Sequence, residues 1–248
     1  MKEEEPKEIE EKNNKDLLLG IDDAGRGPVI GPMCLAGCLM TPEVELELKK
    51  TGAKDSKLLT AKQRESLVGI IKQKALAWHT HLLSPAEIDT GMGEGLNLNQ
   101  VEALAAATII NELTKNLSSE EKKKLTIIID CPSNNKLSWL NQLSPYLKEK
   151  KFHIRCEHKA DRDFAVVSAA SIIAKTTRDS EIEKLKKEVG FDFGSGYPAD
   201  PITKEALRDK KYKDILKSKR IIRETWSTWI ELERASEENK RGKQKTLF

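Results

Sequence analysis

The chain reads as an α/β protein, a sheet domain followed by a helical, basic extension. Two observations predict this. Short apolar runs, LLLGID (17–22), AWHTHLLS (77–84), LTIIID (125–130) and FHIRCEH (152–158), alternate with stretches of helical periodicity. After the glycine-rich DFGSGYPAD (192–200), the segment 204–248 holds fourteen basic and eight acidic residues, and two basic helices are predicted there. At 248 residues the length suits one good-sized domain plus an appendage.

Each element has its own reason. Residues 1–15 carry acids without an apolar core and are expected to be a disordered lead-in. Residues 17–22 and 29–40 read as two strands separated by the Gly/Pro punctuation of AGRGP. Thr60 is a candidate N-cap for a helix over 60–75, with Leu67, Ile70 and Ile71 at helical spacing. AWHTHLLS alternates as a strand. NLNQVEALAAATIINELTK (97–115) is a helix with small residues on its packing face. LTIIID lacks alternation, which predicts a central strand buried on both faces. KLSWLNQLSPYLKEK is helical until Pro145, FHIRCEH is a strand, and 164–189 is the longest helix. The domain reading is therefore a disordered 1–15, a sheet domain over 16–200, a helical basic extension over 201–238 and a flexible basic tail over 239–248.

Bulk properties exclude several classes. No apolar stretch approaches the ~20 residues of a membrane helix, and the N-terminus, MKEEEPKEIEEKNNK, has no apolar core for a targeting peptide. The four cysteines form no C-x-x-C pair and read as reduced, buried thiols of a cytoplasmic protein. The net charge of +3 divides unevenly: −3 over residues 1–16, +6 over 204–248 and zero between. The basic end suits a polyanion such as nucleic acid, although a solvated, salt-bridged helical surface is the plainer reading of charge alone.

Two strands end on acids in the same way, LLLGID at Asp22 and LTIIID at Asp130, and Asp23 follows directly. Asp161, after the strand FHIRCEH, is a further candidate. In open α/β sheets, sites form at strand ends. If these strands are neighbours their carboxylates repel, and hard divalent cations with oxygen ligands are the usual answer. A pair of such ions suits phosphodiester cleavage. A lone strand-end Asp is more often a turn or a cap. The glycines of AGRGP let backbone approach a ligand closely, and Arg26 has the reach for a phosphate or sugar; an ordinary tight turn is the alternative.

These stretches resemble one family in order along the chain. GIDDAGRGPVIGPM is similar to the opening motif of ribonuclease HII, usually GIDEAGRGP. KDSKLLT (54–60), IIIDCPSNN (127–135), EHKADRDFAVVSAASIIAKTTRD (157–179) and GSGYPAD (194–200) resemble its later motifs, the last in the form common in the archaeal branch. The resemblance spans about residues 17–230. It implies an RNase H-like fold, a mixed five-stranded sheet flanked by helices with a helical C-terminal part. It implies an endoribonuclease that cleaves the RNA strand of RNA–DNA hybrids and incises 5′ of ribonucleotides embedded in duplex DNA, leaving 3′-OH and 5′-phosphate ends. The family's cofactor is Mg²⁺ or Mn²⁺ at a two-metal site. Its four acids fall on Asp22, Asp23, Asp130 and Asp161. Its 2′-hydroxyl-reading turn falls on Gly25, Arg26 and Gly27, its sugar-packing tyrosine on Tyr197, and Lys57 lies near backbone phosphate. The 2′-OH is the local mark separating RNA from DNA, so this assignment agrees with the residues themselves.

One position departs: Asp23 stands where the family has Glu, a methylene shorter. A hybrid-binding protein weakened in catalysis is therefore kept as the alternative, and another nuclease on the same fold as a third. His79 and His81 share a strand face but have no acid or Cys at ligand spacing, so they read as structural. His158 reads as a strand-end cap or a neighbour of Asp161. Ser168 and Ser171 are expected to support helix packing, with Lys175 near the site. Gln244, Leu247 and Phe248 partly match a sliding-clamp motif, with the aromatic two residues early; a disordered basic tail is the alternative. Otherwise a monomer is expected.

Overall fold

Five apolar segments pair into one mixed sheet. In the computed structural model, which describes residues 16–50 and 60–245, these are β1 (Leu17–Ala24), β2 (Met33–Met40), β3 (Ala77–Leu83), β4 (Leu125–Asp130) and β5 (His153–Glu157). Their order is β3-β2-β1-β4-β5, antiparallel from β3 to β1 and parallel from β1 to β5. The sheet's centre is thus β1; β4, predicted as central, lies one strand further out but is still interior. The expected segment 29–40 becomes strand only from Met33. Pro28 and Pro32 lack a donor, and the intervening amides bond outside the sheet: Val29 and Ile30 donate to the Gly196 carbonyl at 2.8 and 3.2 Å, and Gly31 donates to that of Ile221 at 2.8 Å.

Eleven α-helices surround the sheet among the described residues: α1 (Pro42–Lys50), α2 (Ala61–Lys74), α3 (Pro85–Gly93), α4 (Leu98–Thr114), α5 (Ser119–Lys124), α6 (Lys136–Leu143), α7 (Ala160–Asp163), α8 (Ala165–Val189), α9 (Pro201–Arg208), α10 (Lys210–Ser218) and α11 (Ser227–Lys245). Thr60 caps α2 as predicted, in a reciprocal box with Gln63. The short α1, α3, α5 and α7 have no long apolar stripe, and the sequence pattern does not predict them. The basic region predicted as two helices is three, because Asp209 ends α9 and caps α10 by accepting from the Tyr212 amide at 3.0 Å. α11 runs past the expected boundary at 238 to Lys245; the single Gly242 costs only about 1 kcal/mol in a helix.

Strand parity divides the core. Leu19, Ile21, Ile127 and Ile129 pack toward α4 and α6, with Ile109, Trp139 and Leu143. Leu18, Ala24 and Ile128 pack toward α8, with Val166, Ala169, Ala170 and Ile173. α8 lies close against β1 at Gly20, where a Cβ would come within 2.3 Å of the Val166 carbonyl oxygen. A third cluster joins Val29, Ile30, Ile182 and Phe193 to Leu216, Ile222 and Trp229, so the C-terminal helices share a core with the loop after β1. None of the described helices is long and apolar enough to cross a membrane. Residues 1–15 and Lys57 lie outside the described residues.

Candidate active site

The acids meet through register. β1 and β4 run parallel with Ile21 opposite Ile129, so Asp22 and Asp130 come opposite one residue later. Both share the parity of Ile128 and Ala24, and hence the α8 face. Neighbouring strands lie about 4.8 Å apart, so the two carboxyl groups feel each other. Asp22 is buried, only 7 % exposed, and its carboxyl is held well above the usual carboxylate range. Burial is the main cause, then the negative charges of Asp23 and Asp130; hydrogen bonds from Ser171 and from the Asp23 amide, at 2.7 Å, act in the opposite direction. Ser171, expected only to aid helix packing, therefore reaches this acid from α8.

Asp23 has the parity of Leu19 and Ile21 and belongs to the α4 face, where its charge reaches Arg26. Asp130 accepts from the Ala160 amide at 2.8 Å, which ties the start of α7 to the end of β4. The next residue, Asp161, is buried. The chain enters α7 through Lys159, whose φ of 59° lies in the left-handed region. Thus β1, β4 and α7 supply the four predicted acids around one end of the sheet. Among the described residues, no three His, Cys, Asp or Glu side chains are already gathered as a metal's ligands. In this arrangement Asp22 and Asp130 are engaged by backbone amides instead. The donor set is all oxygen, and the Asp22 carboxyl stays raised by burial and like charge despite its two hydrogen bonds, which fits a hard divalent cation such as Mg²⁺ or Mn²⁺.

Two buried arginines build the loop beside the acids. Arg223, fully buried, donates from all three guanidinium nitrogens: Nε to the Gly31 carbonyl at 3.0 Å, and the terminal nitrogens to those of Arg26 at 2.9 Å and Gly25 at 2.7 Å. Its own amide donates to the Val29 carbonyl at 2.8 Å. Burial and the charge of Arg178 push its pKa down to about 9. Arg178 donates to the Pro32 and Ser195 carbonyls at 3.3 and 3.0 Å, and its guanidinium lies 5.3 Å from the Tyr197 ring centre. Gly25 has φ 86°, and a Cβ there would lie 2.2 Å from Arg178 Nε, so glycine is required twice over. The Tyr197 ring lies over Gly27, 3.5 Å from where its Cβ would be, and is 40 % exposed. Gly25, Arg26, Gly27 and Tyr197 therefore form one surface. Sequence reasoning missed both arginines: Arg223 sits in a basic tract whose charges read as a solvent-facing nucleic-acid surface.

Other residues stand apart. His79 and His81 lie on β3, and burial lowers the His81 pKa. His158 is exposed. Lys175 pairs with Asp179 at 3.2 Å and, with Arg64, Arg178 and Tyr197, lines a groove of about 790 Å³. All four cysteines are free and buried, and burial pushes the Cys34 and Cys38 thiols up to about 12. Gln244, Leu247 and Phe248 lie where side chains are not described.

The sequence matches the family model described as Ribonuclease HII over residues 19–229. The Ribonuclease HII of Methanococcus vannielii is 41 % identical over 227 residues, covering 92 % of this chain and 89 % of that one. The ribonuclease H2 structure from Pyrococcus horikoshii OT3 superposes with a TM-score of 0.75 at 37 % identity, over 88 % of this chain and 98 % of that one. The RNase HII in the PCNA:RNase HII complex from Archaeoglobus fulgidus gives a TM-score of 0.70 at 34 % identity, over 85 % and 95 %. With the five-stranded mixed sheet and the acids at its end, these matches over most of each chain mean that this chain belongs to the ribonuclease HII family.

Proposed function

We propose that this ribonuclease H is a divalent-cation-dependent endonuclease that cleaves the RNA strand of RNA–DNA hybrids and incises 5′ of single ribonucleotides in duplex DNA, leaving 3′-OH and 5′-phosphate ends. The observation that carries the reading is the β1–β4 register, which sets Asp22 beside Asp130 with Asp23 adjoining and leaves a buried carboxyl opposed by like charge. Asp22, Asp23, Asp130 and Asp161 are the residues that would hold Mg²⁺ or Mn²⁺, and bound there the cations would supply charge stabilisation to attacking and leaving oxygens. Ser171 orients the Asp22 carboxyl. The turn of Gly25, Arg26 and Gly27, locked by Arg223, presents backbone to a 2′-hydroxyl. Tyr197 above Gly27 offers a face to the neighbouring sugar. Lys57 would contact backbone phosphate. A sliding clamp is a further partner on this reading: the Archaeoglobus relative was solved in complex with PCNA, and Gln244, Leu247 and Phe248 partly follow a clamp-binding motif. The expected setting is the cytoplasm, as a monomer.

Asp22→Asn separates chemistry from folding. Cleavage of a hybrid should fall at least about 100-fold. The cation-free variant should nevertheless melt higher than the parent at neutral pH, by about 2–4 °C for each kcal/mol of relieved repulsion. The sign follows from proton linkage: an acid whose carboxyl is raised in the folded state loses stability as pH climbs past its unfolded value, and Asn does not titrate. Near-normal turnover by a folded Asp22→Asn protein would contradict the assignment.

Substrate choice is tested with duplexes identical except for one ribonucleotide. The all-DNA duplex should bind, in a salt-sensitive way, and stay uncut. Tyr197→Ala should lower cleavage at the single ribonucleotide by about 10- to 100-fold, the range for loss of one stacked face, with a smaller change in affinity. Equal cleavage of both duplexes would refute 2′-hydroxyl reading.

Asp23→Glu restores the family's longer acid. It should lower the Mg²⁺ concentration for half-maximal rate, and the parent should respond more to Mn²⁺, which binds such sites more tightly. An Asp23→Glu protein unchanged or worse in both cations would mean the backbone is adapted to aspartate. Hybrid binding without cleavage in either cation would favour the weakened hybrid-binding alternative.

A further inference from the structure

Arg26 does not hang free in the turn. One terminal nitrogen forms an ion pair with Glu102, and the other donates to Asn99 Oδ1 at 2.7 Å. Asn99 and Glu102 are three residues apart on α4 and so present one face of that helix. The exposures are unequal: the Glu102 side chain is 3 % exposed and that of Arg26 is 30 %. A carboxylate buried that far is retained only with a charged partner, so Glu102 needs Arg26. The converse dependence bears on function. Arg26 also lies within reach of the Asp23 charge, and a long, flexible guanidinium next to an acid cluster tends to fold onto it and neutralise it. Glu102 and Asn99 compete with Asp23 for the guanidinium from α4. They engage the two terminal nitrogens, whereas a guanidinium carries five N–H donors. The Arg26 side chain, part of which remains exposed, lines with Gly27 an open groove of about 440 Å³ beside Met92, Leu98, Thr225 and Trp226.

We propose that Glu102 and Asn99 are positioning residues that hold the Arg26 guanidinium in one orientation against α4, where its solvent-facing edge meets a phosphate or ribose oxygen of the substrate. The proposal rests on the reading that the Gly25–Gly27 turn contacts substrate. It adds a specific consequence: the buried carboxylate acts on substrate only through Arg26. Neither Glu102 nor Asn99 stands out in the sequence, because the helix over 97–115 reads there as packing surface, with the acid among alanines.

A double-mutant cycle tests this. The probe is a fluorescent duplex carrying one ribonucleotide, its binding measured by anisotropy in EDTA so that cleavage plays no part. Glu102→Gln should weaken binding about tenfold, as expected for losing a charge-assisted arrangement, and Arg26→Ala by at least as much. Adding Glu102→Gln to Arg26→Ala should cost nothing further. Melting of each variant reports folding. If Glu102→Gln does not fold, Asn99→Ala takes its place in the same cycle, with a smaller loss expected and the same absence of effect on the Arg26→Ala background. Parent-like binding by Glu102→Gln and Asn99→Ala while Arg26→Ala is weakened would overturn the positioning role. So would losses that add across the cycle, which mark a structural effect independent of Arg26. Parent-like binding and cleavage by Arg26→Ala would instead remove the substrate-contact reading itself, and this inference with it.

Discussion

The pairing of β1 with β4 is the constraint on which the rest depends. Parallel register places Asp22 opposite Asp130 at the end of the sheet's two innermost parallel strands. Side-chain parity in both strands then sends these two acids to one face and Asp23 to the other. A one-residue slip of β4 would move Asp130 to the α4 side and bury Ile128 and Ile129 against the wrong layers. The hydrophobic pattern that fixes the register thus also fixes the acid pair, so fold stability and the site share one cause. The close packing of α8 at Gly20 reinforces it by bringing Ser171 onto Asp22.

A second constraint comes from the far end of the chain. Arg223 lies between α10 and α11 and is fully buried, yet its guanidinium is spent on carbonyls of the turn after β1. Trp226 adds an indole hydrogen bond to the Gly27 carbonyl at 3.3 Å, and Asp89 receives the Glu224 and Thr225 amides at 2.7 and 3.1 Å. The C-terminal helices are therefore part of the turn's support as well as a basic surface. Arg178 does the same from α8, linking Pro32 to the loop that carries Tyr197. Two distant segments reach the Gly25–Gly27 turn through buried arginines, which explains how a glycine-rich loop keeps one shape.

The sequence carried the scaffold and the acids because both follow short-range rules. The β1, β4 and β5 segments and α2, α4 and α8 were legible from apolar runs, periodicity and the Thr60 cap. The acids were legible because each ends or follows an apolar run, although β1 itself continues through Asp22 and Asp23 to Ala24. The mixed five-stranded topology came from the resemblance, since pairing order is not written in periodicity. What escaped was everything that depends on long-range contact. Arg223 and Arg178 look like any surface arginine until their burial is known. Glu102 looks like one polar residue in a packing helix, and Ser171 like a small residue chosen for helix contact. Residues 29–32 read as strand because Val29 and Ile30 are apolar, but their amides bond elsewhere.

The Asp22–Asp130 juxtaposition is an electrostatic liability, and its relief by a divalent cation is the step on which the proposed chemistry rests. It is tested most directly by thermal melting of the substrate-free protein in increasing MgCl₂ or MnCl₂, against NaCl at matched ionic strength. The midpoint should climb steadily with either divalent cation, as mass action requires for a ligand of the folded state. NaCl should change it little, and Asp130→Asn should lose the divalent effect. Coincident divalent and NaCl curves, or an undiminished divalent effect in Asp130→Asn, would contradict that relief.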